Sequence, residues 1–334
     1  MANQNSLLRA VLRSTWLPAL QLTVVCLGLG LASNAAFGQN IWGTRWNVPG
    51  PKNAVLAPPK GGSYGHGEVN WSIVAAGVAV NGAADADHPG NTYAFDSMLP
   101  LAFYPAGTAR QMFDDAVDEW ATAITVGNSS LVDLGEVADG GGVIGGAGAA
   151  STVADIRAAV LPWSAAIMNM GTSQSPEIPW DGDGSGGALG SPNALAHGAY
   201  PDTQAANLNG TGFGSLGGDI HFRPYLNYMG DLFGVNWYDD ENGAGVPAGY
   251  AAGDPPVGLY TVMLHEIGHA LGLTHINVAA DIMSGAPYAG SNPNLNTSPG
   301  SVAAARLLYS VPEPSSIILF GFGGLGFLLL ARRR

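Results

Sequence analysis

A twelve-residue segment, LHEIGHALGLTH at residues 264–275, constrains the fold more than any other part of the chain. On a helix, His265 and His269 are four residues apart and share one face, so both imidazoles can bind one cation. Gly272 allows the left-handed backbone conformation that ends a helix, and the resulting turn can return His275 as a third ligand. The segment therefore predicts a helix that ends in a tight turn at a metal site.

This set of residues predicts a catalytic zinc site. Three neutral imidazoles leave the fourth position of tetrahedral zinc to a water molecule, which the metal acidifies. Glu266 lies on a neighbouring flank of the helix, where it can deprotonate that water without binding the metal. The motif HExxHxxGxxH fixes five positions in eleven, so a core helix with incidental histidines is the weaker interpretation.

Met283 completes a pattern that resembles the matrixin-type metzincins, the clan of the matrix metalloproteases. In metzincins, a methionine shortly after the third histidine forms a turn beneath the metal. The resemblance covers about residues 67–310. Besides the motif, it rests on Trp71-Ser72, the helix ending at Trp120, residues 131–137, Ala154-Asp155-Ile156-Arg157, Leu195-Ala196-His197, Gly217-Gly218-Asp219-Ile220-His221-Phe222 and a last helix around residues 302–309.

The resemblance implies an α+β architecture, the metzincin fold. In that family a twisted, mostly parallel sheet with one antiparallel edge strand packs against two long helices, one of which carries HExxH, and a small C-terminal subdomain follows. The residue pattern itself predicts an amphipathic helix over residues 106–123. It also predicts strands at residues 68–80, 131–137 and 154–160.

The sequence departs from the family at a second, structural zinc. Matrixins hold that ion with three histidines and an aspartate, and His197 and His221 match two of them. The upstream His-Gly-Asp segment of the family has no match, because residues 169–179 contain neither His nor Asp. The family's His-Phe-Asp is His221-Phe222-Arg223 here, which removes one calcium carboxylate. Half of the ligand set for a structural zinc is therefore missing.

Two further sites stay open at this point. Asp181 and Asp183 begin a DGDGSGG segment that suggests a calcium turn, but Pro192 stands where an EF-hand needs its bidentate Glu. A calcium turn of another kind and a plain loop are both compatible with that segment. Pro287 and Tyr288 follow Met283 closely, where they can form the outer wall of the pocket for a substrate side chain or an ordinary turn.

The N-terminus predicts export. Arg9 and Arg13 precede an apolar stretch at residues 16–32, which is typical of a secretory signal over residues 1–38 that signal peptidase removes; a membrane anchor is the alternative. Residues 39–66 are rich in Pro, Gly and Asn without periodicity, so we expect an extended lead-in or a short propeptide there. The metallopeptidase domain is expected to follow at residues 67–310.

The C-terminus, residues 311–334, predicts sorting. Pro312-Glu313-Pro314 precedes an apolar run at residues 317–331 and then three arginines. This order resembles the PEP-CTERM sorting signal, which implies a short transmembrane helix, recognition by an exosortase in the membrane and removal of the tail. A lasting C-terminal anchor is the alternative.

Charge and cysteine content exclude several other functions. The net charge of −13 argues against nucleic acid as a partner, because phosphate binding needs clustered cations. Cys26, in the N-terminal apolar stretch, is the only cysteine, so neither a disulfide nor a cysteine nucleophile is expected in the folded body. The cysteine that keeps matrixin precursors latent has no counterpart either.

We therefore expect a zinc endopeptidase that acts on proteins or peptides at the cell envelope, the cell surface or in the extracellular matrix. Contact with the membrane is expected only through the C-terminal tail, before processing. One alternative is a surface or matrix binding protein that keeps the metzincin fold without catalysis, although the presence of Glu266 speaks against it. Another is a purely structural extracellular protein.

Overall fold

The computed structural model describes residues 44–46, 54–56, 67–79, 90–127, 129–139, 154–162, 195–198, 218–226, 234–250, 256–276, 278, 280–284 and 293–310. The predicted export and sorting segments, residues 1–38 and 311–334, lie outside these ranges. None of the helices in the described ranges combines the length and the hydropathy that crossing a membrane requires.

A five-stranded sheet forms the centre of the described fold. Its strands are β3 (Gly67–Ile73), β4 (Leu131–Glu136), β5 (Ile156–Val160), β6 (Ala196–Gly198) and β7 (Asp219–Phe222), in the order β4-β3-β5-β7-β6. All neighbours are parallel except β6, which pairs antiparallel with β7 at one edge. The mostly parallel sheet with an antiparallel edge strand is therefore confirmed.

Strand β3 is shorter than the strand predicted at residues 68–80. It ends at Ile73, and a turn follows in which Gly77 has a φ of +85°. Glycine adopts this left-handed conformation without steric cost. The residues after Ile73 have a strand-like composition, but this turn ends the pairing of β3 with its neighbouring strands.

In the part of the chain that the structure describes, three α-helices accompany the sheet: α1 (Thr108–Ile124), α2 (Leu259–Ala270) and α3 (Pro299–Leu308). Helix α1 confirms the helix predicted over residues 106–123. The apolar stripe that predicted it is buried, namely Ala109, Met112, Phe113, Ala116, Val117 and Trp120. Its Phe113 ring packs edge-to-face against Trp71 of β3, with 5.5 Å between the ring centroids.

Two contacts fix helix α2 in the core. The indole N–H of Trp120 donates to the carbonyl of Leu264 over 2.8 Å, which ties α1 to α2. At the N-terminus of α2, the N-cap Gly258 has no side chain, and Asp240 takes over its role. The Asp240 carboxylate accepts from the N–H groups of Tyr260 (2.8 Å) and Thr261 (3.3 Å) and from the Thr261 hydroxyl (2.5 Å). Burial raises the pKa of Asp240, and these hydrogen bonds oppose the shift.

The lead-in contains structure that its composition did not predict. Strands β1 (Thr44–Trp46) and β2 (Ala54–Leu56) pair antiparallel, because each contributes a short run with β-branched, aromatic or aliphatic residues. Arg45 is fully buried, and its guanidinium carbon lies 5.8 Å from the centroid of the Tyr309 ring, within cation–π distance.

A further two-stranded pair joins β8 (Trp237–Tyr238) and β9 (Val257–Gly258) just before α2.

Replacing Trp120 by Phe tests the α1–α2 contact. We expect Trp120→Phe to lower the free energy of unfolding by about 1–2 kcal/mol more than Trp71→Phe does. Both side chains are buried, but the Trp71 N–H has no hydrogen-bond partner among the described residues, whereas Trp120 loses its bond to Leu264. Urea unfolding of both variants measures the difference, and equal losses would contradict the assigned role of the bond.

Candidate metal centre

Helix α2 carries the first half of the motif on a buried face. His265, Glu266 and His269 are 7%, 6% and 1% exposed. The helix ends in a Schellman motif, in which the Gly272 N–H donates to the His269 carbonyl (2.8 Å) and the Leu273 N–H donates to the Gly268 carbonyl (2.9 Å). Gly272 has a φ of +105° in this turn, as its position in the sequence predicts.

The three histidines of the motif converge after this turn. The Nε2 atom of His265 lies 3.1 Å from Nε2 of His269 and 3.1 Å from Nε2 of His275, and the third side of the triangle is 3.2 Å. Within the described part of the chain, this is the one cluster of at least three His, Cys, Asp or Glu residues that could hold a metal ion.

The other ring nitrogens determine which tautomer the histidines adopt. Nδ1 of His265 lies 2.6 Å from the carbonyl oxygen of Ile282, and Nδ1 of His269 lies 2.8 Å from that of Leu273. A carbonyl oxygen only accepts hydrogen bonds, so both Nδ1 atoms carry the proton. The two Nε2 atoms therefore present bare lone pairs to each other.

This arrangement fits a tetrahedral cation. The Nε2 atoms of His265 and His269 are 3.1 Å apart, and their facing lone pairs repel each other unless a positive charge lies between them. Zinc bound at about 2.0–2.1 Å by three tetrahedrally arranged nitrogens would separate them by about 3.3–3.4 Å, close to the sides of the triangle. Burial, followed by the nearby charge of His275, lowers the pKa of His265 to about 3, which keeps this ring in its neutral, ligating form.

Glu266 lies where α2 meets the antiparallel edge strand β6. A Cβ atom added to Gly198 would be 2.6 Å from the Glu266 carbonyl oxygen and 2.9 Å from its Oε2. The Glu266 carboxylate is therefore in close contact with the last residue of β6, next to the histidine cluster. It is not one of the converging ligand groups.

Met283 packs beneath α2. Its side chain is fully buried, and a Cβ added to Gly268 would collide with its sulfur and lie 3.2 Å from Cζ2 of Trp120. The Met283 carbonyl accepts from the Ile276 N–H over 2.8 Å. The methionine therefore supports the helix between the first two histidines by packing.

The other site residues predicted from the sequence are placed only in part. His221 is buried on β7, and the register sets His197 of β6 directly opposite it. The side chain of His197 lies outside the described residues, so the structural zinc, for which the sequence provides only half of the family's ligand set, is not tested by the structure. Asp181, Asp183, Pro287 and Tyr288 also lie outside them, and the calcium turn and the pocket wall stay predictions.

The residues that surround the three histidines were not predicted from the sequence. The Ser298 hydroxyl accepts from the Ile282 N–H over 2.6 Å, and the Tyr309 hydroxyl donates to the Leu271 carbonyl over 2.9 Å. Asp281 accepts from the Met283 N–H over 2.9 Å and from the Ser301 hydroxyl. These bonds join segments far apart along the chain, and no spacing in the sequence indicates them.

Comparison with known proteins identifies two segments. A family model described as Matrixin matches residues 84–310, which is more than half of the chain. A model of the PEP-CTERM protein-sorting motif matches residues 310–334. The comparison with curated proteins found no match.

Replacing Met283 by Leu tests whether the methionine acts through packing. We expect Met283→Leu to keep one metal ion per protein and most of the expected peptide-cleaving activity, because Leu has a similar volume and fills the same buried space. Metal analysis and X-ray absorption measure this. A sulfur ligand in the absorption spectrum of the unmutated protein would contradict the packing role.

Proposed function

The chain belongs to the matrixin family, and from that premise we propose that it is an exported, zinc-dependent metalloendopeptidase. The observation that carries the proposal is the triangle of Nε2 atoms. Two of these atoms lie only 3.1 Å apart and direct unprotonated lone pairs at each other, an arrangement that a cation between them stabilises. His265, His269 and His275 would hold the zinc. We assign the peptidase domain to residues 67–310, with residues 39–66 preceding it.

When bound, zinc supplies a Lewis acid for the scissile carbonyl and lowers the pKa of a water molecule. Glu266 has the general-base role: its carboxylate takes the proton of the attacking water and delivers it to the leaving amine. Oε2 of this carboxylate lies so close to Gly198 that a Cβ atom at that position would be 2.9 Å from it. His265 and His269 are oriented by their hydrogen bonds to the Ile282 and Leu273 carbonyls.

Variants of the motif test the division of roles between Glu266 and the histidines. We expect Glu266→Ala and the isosteric Glu266→Gln to bind zinc but to cleave peptides about 100- to 10,000-fold more slowly, because the residue moves protons. His269→Ala should instead lose the metal, since two imidazoles bind zinc much less tightly than three. Metal analysis and cleavage of a peptide library, with and without chelator, measure both effects.

The outcomes separate the proposal from its alternative. Near-normal turnover in Glu266→Gln would remove Glu266 from the mechanism, and stoichiometric zinc in His269→Ala would mean that the ligand set is wrong. Zinc binding by the unmutated protein without cleavage of any peptide would favour a catalytically inactive binding protein with the metzincin fold.

The PEP-CTERM motif supports an exported protein that is sorted to the cell surface. We propose that signal peptidase removes residues 1–38 and that an exosortase-type enzyme cleaves near Pro312-Glu313-Pro314. The apolar run at residues 317–331 contains four glycines, which suits a transient stop in the membrane better than a lasting helix.

Replacing Pro312-Glu313-Pro314 by three alanines tests the sorting step. We expect the variant to keep its C-terminal arginines and to remain in the inner membrane, because the processing enzyme no longer recognises it. Mass spectrometry and cell fractionation in the native host give the mass and location of the product. If the unmutated protein also keeps Arg334 and stays in the inner membrane, a permanently anchored protease replaces this account.

A further inference from the structure

The last helix, α3, is bonded to the metal-binding loop at both of its ends. We call the described residues 271–276, 278 and 280–283, which follow helix α2 and include the third histidine, His275, the metal-binding loop. Ser298, the N-cap of α3, accepts from the Ile282 N–H over 2.6 Å. Tyr309, the C-cap of α3, donates its hydroxyl to the Leu271 carbonyl over 2.9 Å. Both ends of the loop therefore contact the same helix.

Asp281 adds a charged contact between the loop and the first turn of α3. Its carboxylate is 3% exposed and accepts from the Ser301 hydroxyl and, over 3.4 Å, from the Ser301 N–H. A carboxylate near the N-terminus of a helix is stabilised by the unpaired N–H groups and the helix dipole. The same carboxylate accepts from the Met283 N–H over 2.9 Å, so it fixes the turn and the helix together.

The hydrogen bonds of Ser298 and Tyr309 reach the histidines through one intervening residue of the loop. Ile282, whose N–H is bound by Ser298, accepts through its carbonyl from Nδ1 of His265 over 2.6 Å. Leu271, whose carbonyl is bound by Tyr309, is the residue just before Gly272, where the chain turns toward His275. Neither Ser298, Ser301 nor Tyr309 belongs to the histidine cluster. Their hydrogen bonds can act on the metal only through the loop.

We propose that Ser298, Ser301 and Tyr309 are positioning residues that set how slowly the site releases zinc. The inference rests on the proposed function, because it takes zinc as the bound metal. Groups that are hydrogen-bonded directly to metal ligands typically change metal affinity by about 10- to 100-fold, and these three residues act through one further residue of the loop. Helix α3 would thus contribute to metal retention without providing a ligand.

The position of α3 also limits where the tail can be cut. The sorting motif match begins at residue 310, directly after Tyr309. A cut between Ser310 and Pro312 leaves all three positioning residues in place, whereas a cut before Tyr309 removes one of them. The processed protein is therefore expected to retain Tyr309.

Substitutions that each remove one hydroxyl group from the full-length protein test the proposal. The variants are Ser298→Ala, Ser301→Ala and Tyr309→Phe, and the control is Ser129→Ala. The Ser129 hydroxyl is also buried and donates to the Ile124 carbonyl over 2.7 Å, at the end of α1 and outside the metal-binding loop. Two quantities are measured: the rate of zinc transfer to a chromogenic chelator, and the free energy of unfolding of the zinc-loaded proteins in urea.

We expect each of the three variants to lose zinc about 10-fold faster than the unmutated protein, the lower end of the effect of direct partners. Ser129→Ala should lower the free energy of unfolding by a similar amount, yet release zinc at the normal rate. Zinc release at the normal rate in all three variants would overturn the proposal. Faster release in Ser129→Ala as well, in proportion to lost stability, would also overturn it. An unmutated protein that holds no zinc would instead refute the proposed function.

Discussion

The Nε2 atoms of His265 and His269 face one another at 3.1 Å with bare lone pairs, and the surrounding contacts hold them in this position. Backbone carbonyls hold the protons on Nδ1 of His265 and His269, so neither ring can relieve the repulsion by becoming a donor at Nε2. Burial opposes protonation of His265 as well. A bound dication removes this repulsion, so metal binding and the stability of the folded state are expected to be coupled.

Such a site requires a helix that cannot move away from it. Helix α2 meets this requirement through contacts along its length: Asp240 binds its first N–H groups, Trp120 binds the Leu264 carbonyl, and the Schellman motif ends it at Gly272. The buried Asp240 carboxylate costs desolvation energy, which three hydrogen bonds to the helix offset. The sheet and α1 thus support helix α2, which carries His265, Glu266 and His269.

Local patterns in the sequence predicted the parts of this structure that depend on local physics. The 3.6-residue period identified α1, the HExxH spacing placed two histidines on one face, and Gly272 marked the turn, because each depends on residues close together in the chain. The antiparallel edge strand of the sheet came from the family resemblance. Asp240, Ser298, Ser301 and Tyr309 act through hydrogen bonds between segments far apart in the chain, which leave no periodicity to detect. The β1–β2 pair was missed because three-residue strands lie below the length at which alternation is visible.

The contact between Arg45 and Tyr309 has a topological consequence. It joins a residue near the start of the described chain to the residue that caps its last helix, so the polypeptide enters and leaves this body at neighbouring points. Domains with adjacent ends commonly tolerate circular permutation, in which the old ends are linked and new ones are opened in a surface loop. A tether at either end would therefore attach to the domain at neighbouring points.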